Sequence, residues 1–382
     1  MKSSIPCLAV TIFLAIALAV RAAEPATPGP SGGDKASSAT PGPKNNEFAR
    51  TFKDWKALLA DMTNLKVRYR GAEEAQRPAI AEEWKSLVEK ATAMLDKLIS
   101  AAKDAYAEAP GADPKVTDLL LGMVGDWDQR DDYEKALDLA RFLIDHGSKD
   151  KQLRETAGIA AFALGDFPAA EAYLREAAAA GKPGETAQSD LSKIDYYKEA
   201  WEKEKKIREA EAKADDLPRV LLKTSRGDVE IELFENEAPN TVANFLSLVE
   251  KGFYNGLTFH RVLPGFMAQG GDPKGDGTGG PGYQIPAEFT RGDHRLHFRG
   301  SVAMARSEPP DSAGSQFFLM FVPNKDLDGK YTVFGRMIKG FDVLAKIKRI
   351  NPDEPHGETP DKILEAKIVR KRPHEYTVKK SG

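Results

Sequence analysis

At Pro218 the hydrophobic period of this 382-residue chain changes, and the change places two kinds of fold on one polypeptide. Upstream, apolar residues recur at three and four. Phe48, Phe52, Trp55, Leu58, Leu59 and Met62 line one helix face from Glu47 onward. Ile80, Trp84, Leu87, Val88, Met94, Leu95, Leu98 and Ile99 line a second, between about Arg77 and Ala109, with Gly71 and Pro78 at the break. Downstream, Val220 to Phe234 alternates about Arg226-Gly227-Asp228, which predicts a hairpin. Val242, Phe245, Leu246 and Val249 form the buried face of a helix opened by Ala238-Pro239 and ended by Gly252. Short strands and glycine turns continue to about Gly335, followed by a helix from Gly340 to about Ile347 and a last strand from Ile363 to Val369. Many strands with two helices predict a closed antiparallel β-barrel capped at its ends. The fold class is multidomain, all-α followed by β.

Such a length calls for two or three domains. A hydrophobic content of 41% suffices for a sizeable core, and a net charge of -3 supplies no cationic field for nucleic acid. The single cysteine, Cys7, excludes an internal disulfide. It stands at the start of the apolar run Leu8 to Val20, which Lys2 precedes and Arg21-Ala22-Ala23 follows. A positive start, a short apolar stretch and small residues at its end predict a signal peptide over 1–22, with an uncleaved anchor as the alternative. Removal of the signal leaves no stable membrane span and no cysteine, which suits export to a periplasm or the extracellular space. Residues 23–46 are mostly Pro, Gly, Ser, Thr and Ala and predict a disordered linker.

Within the helical stretch, 47–184, an internal repeat occupies about 117–184. Asp132-Tyr133 returns as Asp166-Phe167, and Ala136 returns as Ala170. Small residues at Gly158, Ala170 and Ala177 let helices approach closely, and the spacing resembles the tetratricopeptide repeat. Such repeats often receive a protein partner, while a helical spacer without a ligand is equally compatible with the pattern. From 185 to 216 the chain is rich in Lys, Glu and Ala and predicts a solvated connecting helix that Pro218 stops.

The chemistry-bearing stretch is Thr258 to Pro273, in which Arg261 stands among Phe259, Val262, Leu263, Phe266 and Met267, with Gln269 beyond. A guanidinium offers planar donors and no acceptor, which fits an uncharged, carbonyl-rich ligand such as a peptide. The run Phe259 to Asp272 resembles the signature of cyclophilins, the cyclosporin-binding family of peptidyl-prolyl isomerases. Ala238-Pro-Asn-Thr-Val-Ala-Asn-Phe245, Gly277-Thr-Gly-Gly-Pro-Gly282, Gly314-Ser-Gln-Phe-Phe318 and Leu327-Asp-Gly-Lys-Tyr-Thr-Val-Phe-Gly335 follow in family order. The resemblance spans about Arg219 to Arg370 and implies a cyclophilin-like domain within 217–382.

By this resemblance Arg261 corresponds to the catalytic arginine and Gln269 to a residue that holds the substrate backbone. Phe266, Met267, Phe318, Leu327 and Tyr331 correspond to the proline pocket. Met304 and Ala305 correspond to the strand that pairs with substrate, and Gln316 to a further polar contact. The implied activity is rotation about X-Pro bonds in proline-containing peptides and unfolded exported proteins, with neither metal nor cofactor. A non-catalytic protein-binding module is the alternative. Asp326 stands where well-studied relatives carry tryptophan, so weak cyclosporin binding is expected. Tyr331 stands where histidine is common, and Arg306 replaces a small polar residue.

Four motifs are set aside. Gly275 to Gly280 fits G-x-G-x-x-G, but Pro281-Gly282 deny it the following helix. Asn324 to Gly329 begins like a calcium loop but lacks the closing glutamate, so it is expected to be a turn. His294 and His297 are expected to be exposed loop residues rather than zinc ligands, and the basic stretch from Lys367 to Lys380 a solvated tail.

Overall fold

The computed structural model describes residues 42–354 and 359–381. The expected signal peptide, and the linker as far as residue 41, lie outside the described residues. The elements run α1 (Pro43–Gly71), α2 (Arg77–Glu108), α3 (Pro114–Gln129), α4 (Tyr133–Asp145), α5 (Gln152–Ala163), α6 (Phe167–Ala180) and α7 (Glu185–Ala214). Then follow β1 (Arg219–Thr224), β2 (Gly227–Leu233), α8 (Pro239–Glu250), β3 (Arg261–Leu263), β4 (Met267–Gly270), β5 (Ser301–Met304) and β6 (Phe317–Met320). The chain ends with β7 (Val333–Lys339), α9 (Phe341–Lys346) and β8 (Ile363–Arg370). No described helix is long and apolar enough to cross a membrane.

The described residues divide into two compact units, one comprising 42–126 with 136–153, the other 127–135 with 154–354 and 359–381. In the first, α1 and α2 form an antiparallel pair, with Lys44 beside Asp104 and Arg68 beside Glu83 at opposite ends. Phe48, Phe52, Trp55, Leu58, Leu59 and Met62 are all buried, as their spacing requires. Helix α1 begins at Pro43, four residues before the apolar pattern does, because a proline in the first turn forfeits no hydrogen bond and Gly42 is extended.

In the second unit the repeat shows itself in its turns. Asp132 N donates to Trp127 O at 2.9 Å, and Asp166 N donates to Ala161 O at 2.9 Å. The left-handed residue before each is Asp131 (φ 61°) in the first copy and Gly165 (φ 81°) in the second. Each turn thus ends its helix by returning a backbone N–H to an otherwise unused carbonyl.

Helix α7 differs from the solvated helix expected. Phe162, Phe167, Tyr197 and Trp201 pack edge-on or stacked, and Trp201 meets Phe298 of the strand region at 5.0 Å. Its charged end is buried on one side. Arg295 lies 2.7 Å from Glu204 and 2.5 Å from Glu211, and Arg336 lies 2.6 Å from Glu211 and 2.5 Å from Glu232. Glu204, Arg208 and Glu211 fall on one helix face, and their partners lie far downstream, where local charge patterning does not reach. Glu202–Lys205 alone shows the exposed pairing that composition suggested.

The strands form one antiparallel sheet in the order β3-β4-β6-β5-β7-β2-β1-β8. Its two edges meet where Thr258 bridges Lys362, helped by Phe259 N to Asp361 O and Ile363 N to Leu257 O. The barrel is therefore closed by a short bridge rather than a full ladder, which leaves little edge for a foreign strand. Inside, Phe245 of α8 touches Tyr254, Phe317 and Phe334 at ring distances of 5.0–5.5 Å. The C-terminal tail is largely exposed, as expected, but it is anchored at two points. Tyr376 and Val378 pack on the core, and Tyr376 donates to Glu235 at 2.8 Å.

Candidate active site

Strands β3 and β4 form a hairpin whose pleat sorts two functions. Val262 and Ala268 point into the barrel core. Their neighbours point outward, with Arg261 opposite Gln269 and Leu263 opposite Met267. The register continues that outer face across the sheet. Gln269 faces Phe318, Phe318 faces Ala303, and Met267 faces Met320. One row thus runs Arg261–Gln269–Phe318–Ala303 over β3, β4, β6 and β5.

The apolar members of that face form a second cluster distinct from the barrel core. It contains Leu217, Phe234, Met267, Ala303, Phe318, Met320 and Val333, with Phe266, Ala305, Leu327 and Tyr331 half-exposed at its edge. Phe318 meets Tyr331 edge-on at 5.8 Å. Phe266 lies at the hairpin tip after Gly265, whose φ of +64° favours glycine, and the Arg261 guanidinium stands 5.9 Å from its ring. Among the described residues no carboxylate lies within ion-pair distance of Arg261, so its donors are uncommitted.

Gln269 Nε2 donates to Gln316 Oε1 at 2.9 Å. Gln316 Nε2 in turn donates to Gly277 O and Gly279 O, both at 2.9 Å. Those glycines belong to a loop folded round the buried Asp272, whose carboxylate accepts from Lys274 N and Gly277 N. Burial opposes the charge of Asp272, yet these backbone donors hold its carboxyl below the usual range. A side chain at Gly279 would lie 2.0 Å from Asp272 Oδ1, so that close approach requires glycine. Beside Gln269 opens a cleft of about 830 Å³ lined by Lys274, Tyr283, Ala305, Arg306 and Gln316. Arg306 donates to Lys330 O and lies 4.9 Å from the Tyr331 ring, bracing that wall.

The structure therefore brings Arg261, Phe266, Met267, Gln269, Ala305, Gln316, Phe318, Leu327 and Tyr331 to one face. Met304 differs, since its side chain lies in the barrel core and only its backbone borders the face. Residues 219–368 match the family model "Cyclophilin type peptidyl-prolyl cis-trans isomerase/CLD". A Helicobacter pylori peptidyl-prolyl cis-trans isomerase is 47% identical over 37% of this chain and 90% of its own length. The chain belongs to the cyclophilin family. A Synechococcus elongatus peptidyl-prolyl cis-trans isomerase is 49% identical over 40% of this chain and 97% of its own. A solved Cryptosporidium parvum cyclophilin type isomerase aligns at 33% identity over 39% of this chain and 98% of its own, with a TM-score of 0.36. The C-terminal cyclophilin domain is a peptidyl-prolyl cis-trans isomerase, and helices α1–α7 lie outside the matched region.

Two residues behind the cyclophilin pocket escaped the sequence. His297 is wholly buried, contrary to the exposed position expected. Its Nδ1 lies 2.8 Å from Asp328 Oδ1, and its ring lies parallel to Phe318 at 6.0 Å. Burial pushes its pKa down against the pull of Asp328, so the ring is neutral near pH 7. Asp328 also accepts from Tyr196 of α7 at 2.8 Å. No local spacing signals these polar contacts, because Asp328 lies 31 residues from His297 and 132 from Tyr196. The calcium-like segment is a single 3₁₀ turn, Lys325–Leu327, and no helix follows the glycine loop 275–280.

Proposed function

We propose that Arg261 drives the rotation and that the enzyme acts on exported polypeptides. The X-Pro bond resists rotation by roughly 18–20 kcal/mol because its nitrogen shares its lone pair with the carbonyl. Twisting the bond returns that pair to nitrogen, and a fixed cationic donor then gains an acceptor it lacked in the planar ground state. An interaction that grows along the reaction lowers the barrier, whereas equal binding of both states does not. The observation that carries this reading is the uncommitted guanidinium of Arg261 at the edge of an apolar cluster. Phe266, Met267, Phe318, Leu327 and Tyr331 hold the proline ring, and Gln269 and Gln316 hold the peptide backbone. The amides of Met304 and Ala305 already donate to Thr332 O and Gln316 O, so their carbonyls are the groups left to a substrate strand.

The apolar N-terminal run supports export, and the 34-residue recurrence of the turn supports a tetratricopeptide-like segment that meets a protein partner. Isomerisation of an X-Pro peptide by the wild type, Arg261→Ala and Arg261→Lys tests the chemistry. Arg261→Ala is expected to lose about 10²-fold or more in kcat/KM, as removal of a transition-state donor does. Equal rates above background in all three would leave Arg261 without a catalytic part, and no rate above background in any of them would favour the binding-module reading. N-terminal sequencing of the product exported by an expressing cell tests cleavage near Ala22-Ala23.

A further inference from the structure

The first repeat's turn carries an aspartate where the second carries glycine. Asp131 has φ 61° and Gly165 φ 81°, at equivalent positions of the same hydrogen-bonded turn. The left-handed conformation is natural for glycine and unfavourable for a residue with a Cβ. Aspartate and asparagine are the residues with a Cβ that adopt it most readily, and since the second copy makes the same turn with glycine, what the Asp131 side chain touches points to its role. It is 1% exposed. Its Oδ1 accepts from the backbone N–H of Gly265 at 2.7 Å and from the Tyr133 hydroxyl at 2.8 Å. Its Oδ2 accepts from the Arg349 guanidinium, which also donates to Arg130 O. Three residues on, Glu134 receives both Nη groups of Arg299 at 2.6 and 2.9 Å.

Gly265 is the tip of the β3–β4 hairpin, directly before Phe266, and Arg349 precedes Ile350, whose backbone pairs with Val262 of β3. The carboxylate of Asp131 thus pins both the hairpin tip and the segment flanking its outer strand. We propose that Asp131 is a positioning residue for isomerisation, holding the Gly265 peptide so that Phe266 closes the proline pocket beside Arg261. It touches no reacting atom and acts through the hairpin. Charge-assisted acceptance of a backbone N–H gives this hold both direction and strength. The inference rests on the isomerase reading of the pocket, and its experiment includes a readout independent of turnover.

Asp131→Gly makes the test sharp, because glycine suits the turn and is what the second copy uses. In the full chain this variant relieves the turn but leaves the Arg349 guanidinium without its carboxylate, so the thermal midpoint should fall, and the assays are run well below that midpoint. Its kcat/KM on an X-Pro peptide is expected to fall about tenfold, mostly through KM, because a shifted Phe266 grips the ring less well while Arg261 stays on β3. Hydrogen–deuterium exchange of the segment 260–268 should quicken at Gly265. Asp131→Asn keeps a neutral acceptor for Gly265 and should remain within about threefold of the parent. Parental kcat/KM and parental exchange in Asp131→Gly would overturn the proposal. So would an activity loss without faster exchange, or equal losses in the Gly and Asn variants. A wild-type chain inactive on the peptide would sink the isomerase reading alone, and the exchange comparison would still decide whether Asp131 holds the hairpin.

Discussion

His297 lies flat behind Phe318, ring planes 10° apart, and is held there by Asp328 at 2.8 Å. The apolar face at Phe318 is therefore backed by a titratable ring. Burial lowers the folded-state pKa of His297 below its ordinary 6.5. An unfolded chain then binds a proton that the folded one refuses, so stability is fully present above pH 6.5 and declines as pH falls toward the folded pKa. Urea midpoints at pH 7.5 and pH 5.5 for the parent and His297→Gln check it, with the smaller pH effect in the variant. Equal pH effects in both would assign the titration to other groups.

Gln316 joins Gln269 to the glycine loop, so the two amides should act as a unit. Gln316→Leu removes an acceptor from Gln269 and two donors from Gly277 and Gly279. These groups are partly exposed, so water replaces much of what is lost and stability should fall by only about 0.5–1.5 kcal/mol. The kcat/KM is expected to fall by roughly threefold to tenfold through a misdirected Gln269. Gln269→Leu and the double variant complete a cycle, in which the double should lose little more than the worse single. Strictly additive losses would show that the loop and Gln269 contribute separately.

The barrel and its pocket were legible because short strands repeat a period of two and because Arg261, Gln269 and Phe318 sit in contiguous motifs. Pairing register alone then brings those three into one row. Helices α1 and α2 were legible for a similar reason, since Phe48, Trp55 and Trp84 fall at helical spacing and are all buried. What escaped was long-range polar pairing. Glu204 and Glu211 look like solvated residues of a charged helix, and Arg295 and Arg336 look like surface cations; only the fold joins them. The same holds for His297 with Asp328 and for Asp131 with Gly265. A hydrophobic pattern announces burial through its period, whereas a buried ion pair has no period to announce it.

Arg295 offers a test in which the surroundings decide the sign and size of an electrostatic effect. It is 2% exposed at the side chain, meets Glu204, Glu211 and Glu237, and lies 3.9 Å over the Phe234 ring. Burial works against the charge of Glu204, yet Arg295 and Arg208 hold its carboxyl below the usual range. In the full chain, Arg295→Ala strands carboxylates beneath α7, and breaking such a pair on one side costs about 3–5 kcal/mol. A fragment of residues 217–382 lacks α7 and with it Glu204 and Glu211. Water then reaches Arg295, and the pair that remains, with Glu237, becomes a surface contact worth about 0–1 kcal/mol. The same substitution should therefore cost several times less in the fragment than in the full chain. Chemical denaturation of the four proteins, followed by a signal from the cyclophilin domain, measures both costs. Equal costs in the two backgrounds would mean that α7 does not bury this network, and that Arg295 acts through Phe234 alone.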